Sequence, residues 1–188
     1  VVAARTAQLV NYGDIANEVG ISEVTAKKWL SLLVTSGLVY LLPPFSVNVE
    51  KRVVKTPKLY FVDTGLASYL TRWTDSEVLR SGAMSGAFFE TYIVGEVLKS
   101  FCNAGIEPPL YFYRDKDKIE IDLIIFLNNT VYPVEIKKTA TPKADDAKNF
   151  FITGRIKNVE IAPPCIVCNC GKPVSVAKGV MAIPAEYV

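Results

Sequence analysis

Histidine is absent from this chain of 188 residues. Without an imidazole there is no Ser-His-Asp or Cys-His nucleophile, no histidine-ligated metal and no phosphohistidine chemistry. Any hydrolytic chemistry must therefore rest on carboxylates, lysine and a hard cation. Long apolar runs are missing as well. No stretch approaches the roughly 18 apolar residues that mark a membrane span, and no basic-then-apolar leader opens the sequence. A G-x-x-x-x-G-K-[ST] phosphate loop is absent, since Gly171-Lys172 lacks the upstream glycine. A charge surplus is missing too: 21 Lys+Arg stand against 19 Asp+Glu, so composition by itself does not argue for nucleic acid. Cysteine is sparse, with Cys102 alone and Cys165, Cys168 and Cys170 clustered. Three thiols with no histidine do not complete a zinc site. P-P-C-I-V-C-N-C reads instead as a buried strand in which cysteine serves as a small apolar residue, so no zinc is expected. Reduced cysteines fit a cytoplasmic location.

What is present is an ordinary globular composition, half hydrophobic and 21% charged, enough for one good core or two small ones. The chain begins with Val inside a helical pattern, which reads as a fragment of a longer polypeptide. Its basic excess lies in residues 50–72, where Lys51, Arg52, Lys55, Lys58 and Arg72 face Glu50 and Asp63.

The first 45 residues read as three helices. Residues 2–10 are apolar and alanine-rich. Asp14 can cap a short helix that Gly20 ends, and Ser22 can cap residues 23–36, with Gly37 as the stop. In this third helix Ala26, Trp29, Leu30 and Leu33 recur at helical spacing, while Lys27 and Lys28 lie off that stripe. Strands at 38–42 and 58–62 follow, joined by a basic, proline-containing connection. This is the order of a winged helix-turn-helix. In the DNA-binding use of that unit, Lys27 and Lys28 enter a groove, and Lys51 and Arg52 of the wing meet phosphate. In its other use it docks proteins. Residues 1–70 form this domain, 71–80 a linker, and 81–188 a second domain.

The second domain opens with a helix over 86–101. Glu90 shares its apolar face with Ile93, Val94, Val97 and Phe101, and a buried carboxylate calls for a partner. Gly86, one turn earlier, would leave room for close approach. Strand 111–114 and the turn D-K-D-K lead to I-E-I-D-L-I-I-F-L (119–127) and T-V-Y-P-V-E-I-K-K (130–138). Between these lies only Asn128-Asn129, a pair suited to a two-residue hairpin loop. That loop sets Asp122 opposite Glu135 and Glu120 opposite Lys137, all on one face. Like charges about 5 Å apart repel, so a divalent cation or a proton belongs between Asp122 and Glu135. A slip of one residue would send the acids to opposite faces. A polar helix at 143–153 and the apolar strand near Cys165 complete an αβββαβ order, within an α/β (α+β) fold class.

Glu90 on the helix, Asp122 on the second strand and Glu135-Ile136-Lys137 on the third resemble the PD-(D/E)xK phosphodiesterases, whose fold is that of restriction endonucleases. Ile121 stands where that motif has its proline. More narrowly, R-T-A-Q-L-V-N-Y, I-S-E-V-T-A-K-K-W-L, T-P-K-L-Y-F-V-D-T-G-L-A, G-A-F-F-E, Y-F-Y-R-D, I-E-I-D-L and V-E-I-K resemble the C-terminal half of a group of prokaryotic AAA-type ATPases. There an ATPase domain precedes a winged helix and a nuclease-like domain of unknown function.

The resemblance implies Mg²⁺ or Mn²⁺ held by Asp122, Glu135 and the Ile136 carbonyl, with Glu90 as a further ligand directly or through water. Lys137 would serve catalysis, with Glu120 and Arg114 behind it. ATP would bind only in the ATPase domain of the same polypeptide. DNA and that domain are the implied partners, with no membrane partner; homo-oligomerisation stays open. The expected function is metal-dependent hydrolysis of a DNA phosphodiester. The alternative is an inactive DNA- or protein-binding module serving the ATPase.

Overall fold

Local signals place most of the N-terminal elements. Asn11 caps α1 (Tyr12–Val19) by accepting from the Asp14 N–H, and Gly20 ends it in a left-handed conformation. The cap is thus Asn11 and not Asp14. Ser22 caps α2 (Glu23–Thr35) as expected. Ala26 and Leu30 of its stripe are buried, but Trp29 is 52% exposed, because the buried arc of α2 is narrower than the apolar one.

Residues 2–10 are not an α-helix. They form a 3-10 turn, Val2–Arg5, and the two-residue strand β1 (Gln8–Leu9). Tertiary bonds override the alanine-rich propensity here. Ala7 takes a positive φ and donates its N–H to the Leu59 carbonyl. The buried Thr6 hydroxyl bonds Thr91 and accepts from the Phe61 N–H.

The structure, a computed structural model, describes residues 1–46 and 55–188. Lys51 and Arg52, expected on a wing, lie outside the described residues. Two units are distinguished, Val1–Leu42 with Thr56–Gly95, and Pro43–Lys55 with Glu96–Val188.

In the first unit β2 (Val39–Leu42) and β1 flank β3 (Lys58–Phe61), both antiparallel to it. α3 (Thr64–Leu70), capped by Asp63, and α4 (Ser76–Ser81), capped by Asp75, follow. α4 thus begins inside the expected linker. α5 (Ser85–Asn103) contributes its first part, through Gly95, to this unit. The core gathers Ile15, Ala26, Leu30, Val39, Leu59, Phe61 and Phe88. Gly86 is exposed, and a side chain there would meet nothing within 4 Å, so no close approach explains that glycine.

The second unit holds a mixed sheet in the order β4-β5-β6-β8-β10-β9, with β7 also paired to β6. Its strands are β4 (Leu110–Arg114), β5 (Glu120–Leu127), β6 (Thr130–Lys137), β7 (Glu160–Ile161), β8 (Cys165–Cys168), β9 (Val174–Ala177) and β10 (Val180–Pro184). The last two strands extend the expected order. The polar helix expected at 143–153 is a run of 3-10 turns, Ala144–Arg155. Helices and sheets together give the α/β (α+β) class.

Two features of the sheet position the acidic residues of β5 and β6. The β5–β6 loop is the expected two residues, Asn128 and Asn129, both at positive φ, and Leu127 pairs Thr130 while Leu123 pairs Val134. Against β4, however, Tyr111 pairs Ile124 whereas Tyr113 pairs Ile121. Two β5 residues, Asp122 and Leu123, therefore stand opposite one β4 residue, Phe112. This is a β-bulge, and it lets Ile121 and Ile124 enter the same core.

Candidate metal-binding site

Alternation along β6 puts Val131, Pro133, Glu135 and Lys137 on one face. Val131 belongs to the core with Ile124, Phe150 and Ile166. Glu135 therefore points to the core side, and it is 2% exposed. A carboxylate there needs partners. Lys137 Nζ lies 2.7 Å from its Oε1 and Asn149 Nδ2 lies 3.4 Å from the same oxygen. Oε2 is buried with no hydrogen-bond partner among the described residues.

Asp122 sits where the bulge interrupts β5. Its Oδ2 accepts from the Ile136 N–H at 2.8 Å and lies 3.5 Å from Lys137 Nζ. One ammonium thus faces two carboxylates from adjacent strands. Burial, and then the charge of Asp122, push the Glu135 carboxyl up to about 7. Burial pulls Lys137 downward, but the charges of Asp122 and Glu135 outweigh it and hold the ammonium above its ordinary value.

Around this cluster, Arg114 Nη1 donates to Glu120 Oε2 at 3.2 Å. Parallel pairing sets Glu135 beside Ile166 and Lys137 beside Cys168. The cysteines are free thiols, and burial raises Cys165 and Cys168 to about 11 each. Among the described residues no three His, Cys, Asp or Glu side chains form a group able to hold a metal ion. The candidate ligands in this unit are accordingly the two carboxylates and the carbonyl of Ile136.

Glu90, the remaining expected ligand, lies on α5 in the first unit. Its Oε1 accepts from Lys58 Nζ at 2.9 Å and from the Tyr60 hydroxyl at 2.6 Å. Lys58 is 4% exposed, so a residue that counts as basic connection in the sequence is an internal counter-ion. Lys27 and Lys28 are exposed on α2. Lys27 pairs with Glu23 at 2.8 Å and stands over the Tyr12 ring.

Sequence reasoning missed Asn149 and the partner of Asp115. Asn149 sits in a polar segment with nothing to distinguish it from its neighbours. Asp115, in the D-K-D-K turn, is 5% exposed; it accepts from the Asp117 and Ile119 N–H groups and pairs with Arg155. The turn-forming aspartate was legible, its distant arginine was not.

The donor set fits a hard divalent cation. Glu135 Oε2 is a buried carboxyl oxygen lacking a partner among the described residues, and all-oxygen ligands suit Mg²⁺ or Mn²⁺, which retain waters and take substrate phosphate oxygens.

Residues 1–77 match a domain of unknown function (DUF8612), and residues 85–188 match another, DUF4143. Uncharacterized proteins of Mycobacterium bovis and Mycobacterium tuberculosis are each 28% identical over 181 residues, 96% of this chain and 39% of their own length. The chain thus spans about two fifths of the curated relatives it matches. No solved structure matches it. No described helix is long and apolar enough to cross a membrane. With more than half of its residues matched to DUF4143, the chain belongs to that family.

Proposed function

We propose that the second unit is a nuclease-like domain of PD-(D/E)xK type that hydrolyses a DNA phosphodiester with Mg²⁺ or Mn²⁺, in a polypeptide that also carries an AAA-type ATPase domain. One observation carries this reading. Asp122 and Glu135, from the two strands of one hairpin, share the Lys137 ammonium, and the buried Glu135 keeps one oxygen without a partner among the described residues. A fold that only needed polar filler would place uncharged groups there, at lower cost.

Asp122, Glu135 and the Ile136 carbonyl would hold the cation. A bound divalent cation would supply a water of lowered pKa and charge neutralisation at the phosphoryl group. Lys137 balances the two carboxylates and offers an ammonium to negative charge developing on the phosphate. Arg114 and Glu120 brace the same end of β5.

A second reading has its own observation. α2 exposes Val24, Trp29 and Leu32, at 63%, 52% and 66%, beside Lys27 and Lys28. An apolar and basic helix face fits a module that binds DNA or a protein for the ATPase without catalysis.

Calorimetric titration of Mg²⁺ and Mn²⁺ into the chain and into Asp122→Ala/Glu135→Ala separates the two, with plasmid nicking measured alongside. Binding and nicking that both vanish in the double variant support the nuclease. Binding of neither cation at millimolar concentration ends the catalytic reading and leaves the binding module.

A further inference from the structure

Glu135 distributes its donors unequally. Oε1 receives both Lys137 Nζ, at 2.7 Å, and Asn149 Nδ2, at 3.4 Å, while Oε2 of the same carboxylate, 2% exposed as a residue, receives none from the described residues. A carboxylate turns readily about its terminal bond, because that torsion is broad and two-fold. Turning would share the donors between the oxygens, so something must hold the group with Oε2 bare.

Lys137 is poorly suited to that task alone. Its ammonium rides on a flexible stem and is also drawn to Asp122 Oδ2, 3.5 Å away. Asn149 is fixed differently. Phe150 and Ile152, just after it, are buried in the core of the second unit. The segment is capped at its start by the Lys143 N–H bonded to its own Asp146 Oδ2, at 2.7 Å, and tied at its end by Arg155 on the buried Asp115. Its amide also donates without bringing a charge, so it holds Oε1 without repelling an incoming cation.

We propose that Asn149 is a positioning residue that fixes the Glu135 carboxylate so that Oε2 is presented to a divalent cation. This rests on the proposed metal-dependent function and extends it to a residue on a different element, one that touches the ligand and not the metal. Partners of this kind contribute to affinity by orienting the ligand before the ion arrives.

The test is Mn²⁺ and Mg²⁺ titration into the whole 188-residue chain, into Asn149→Leu, which keeps the volume without the amide, and into Asn149→Gln, which keeps the amide. Thermal unfolding in chelator accompanies each, and Asn149→Ala replaces the leucine variant if that one melts lower than wild type. The expected result is cation affinity about tenfold weaker in the variant lacking the amide, with unchanged melting in chelator, and recovery in Asn149→Gln. Wild-type binding with equal affinity in the variant lacking the amide overturns this role and leaves the proposed function standing. A wild type that binds neither cation overturns the proposed function and this role with it.

Discussion

At the scale of single residues the decisive group is the Glu135 carboxyl. Folding moves it from water to the edge of a core, next to a second carboxylate, and its pKa rises from the ordinary 4.5 to about 7. Over that interval the folded chain keeps a proton that the unfolded chain has lost, so this group's contribution to stability falls as pH rises. The contribution is full below about 4.5 and is lost as pH passes through about 7. Unfolding in chelator should therefore show stability decreasing from pH 5 to pH 8, on the order of 2 kcal/mol from this site. Glu135→Gln, which carries no titrating group, should flatten that slope; an unchanged slope would place the origin elsewhere. Lys58 makes the complementary point. An internal ammonium is tolerable in the first unit because Glu90 and β3 bring a carboxylate to 2.9 Å.

At the scale of elements the hairpin sets the site. Asn128 and Asn129 at φ of 49° and 61° form a loop that joins two strands with no slack. That register brings Asp122 toward β6, and the bulge then frees its carboxylate to accept from the Ile136 N–H. Replacing both asparagines by alanine puts two side chains into the left-handed region, at about 2 kcal/mol for the pair, and should lower the urea midpoint accordingly. Asn129→Gly should raise it slightly. If neither moves, the loop does not control the register. The 3-10 segment shows why polar pattern alone misleads. Its sequence is helical in period, but Phe150, Ile152 and Ile156 must reach the sheet core, and the tighter turn places them there.

At the scale of the whole molecule, sequence and space are partitioned differently. The family matches part at residues 78–84, whereas the compact units part within α5. The N-terminal half of the chain also supplies part of the second unit. Pro43 and Phe45 bond the β4 residue Phe112, and the Phe45 ring meets Tyr111 and Phe126 edge-on. Phe45→Ala should cost about 3 kcal/mol, seen as a lower urea midpoint. A fragment of residues 85–188, which covers the whole family match, should unfold more readily than the full chain for the same reason. Equal stability of fragment and full chain would show that Phe45 contributes nothing to that core.

Much of the site was legible because its determinants are local. A two-residue asparagine loop and period-two alternation suffice to set the β5–β6 register that brings Asp122 and Glu135 to one lysine, and Ser22 and Gly20 mark helix ends by their own hydrogen bonds and backbone freedom. The misreadings share another cause. Residues 2–10 carry helical propensity, but Thr6 and Ala7 find better partners in Thr91, Phe61 and Leu59, far along the chain. Lys58, Asn149 and Arg155 are unremarkable in sequence because their roles depend on Glu90, Glu135 and Asp115, each more than ten positions away. Short-range chemistry therefore determined the hairpin, the caps and the nearness of two acids to Lys137. Only the tertiary structure decided which lysine is buried, where the bulge releases Asp122, and which oxygen of Glu135 is left bare, because those depend on packing between residues that the chain brings together only when it folds.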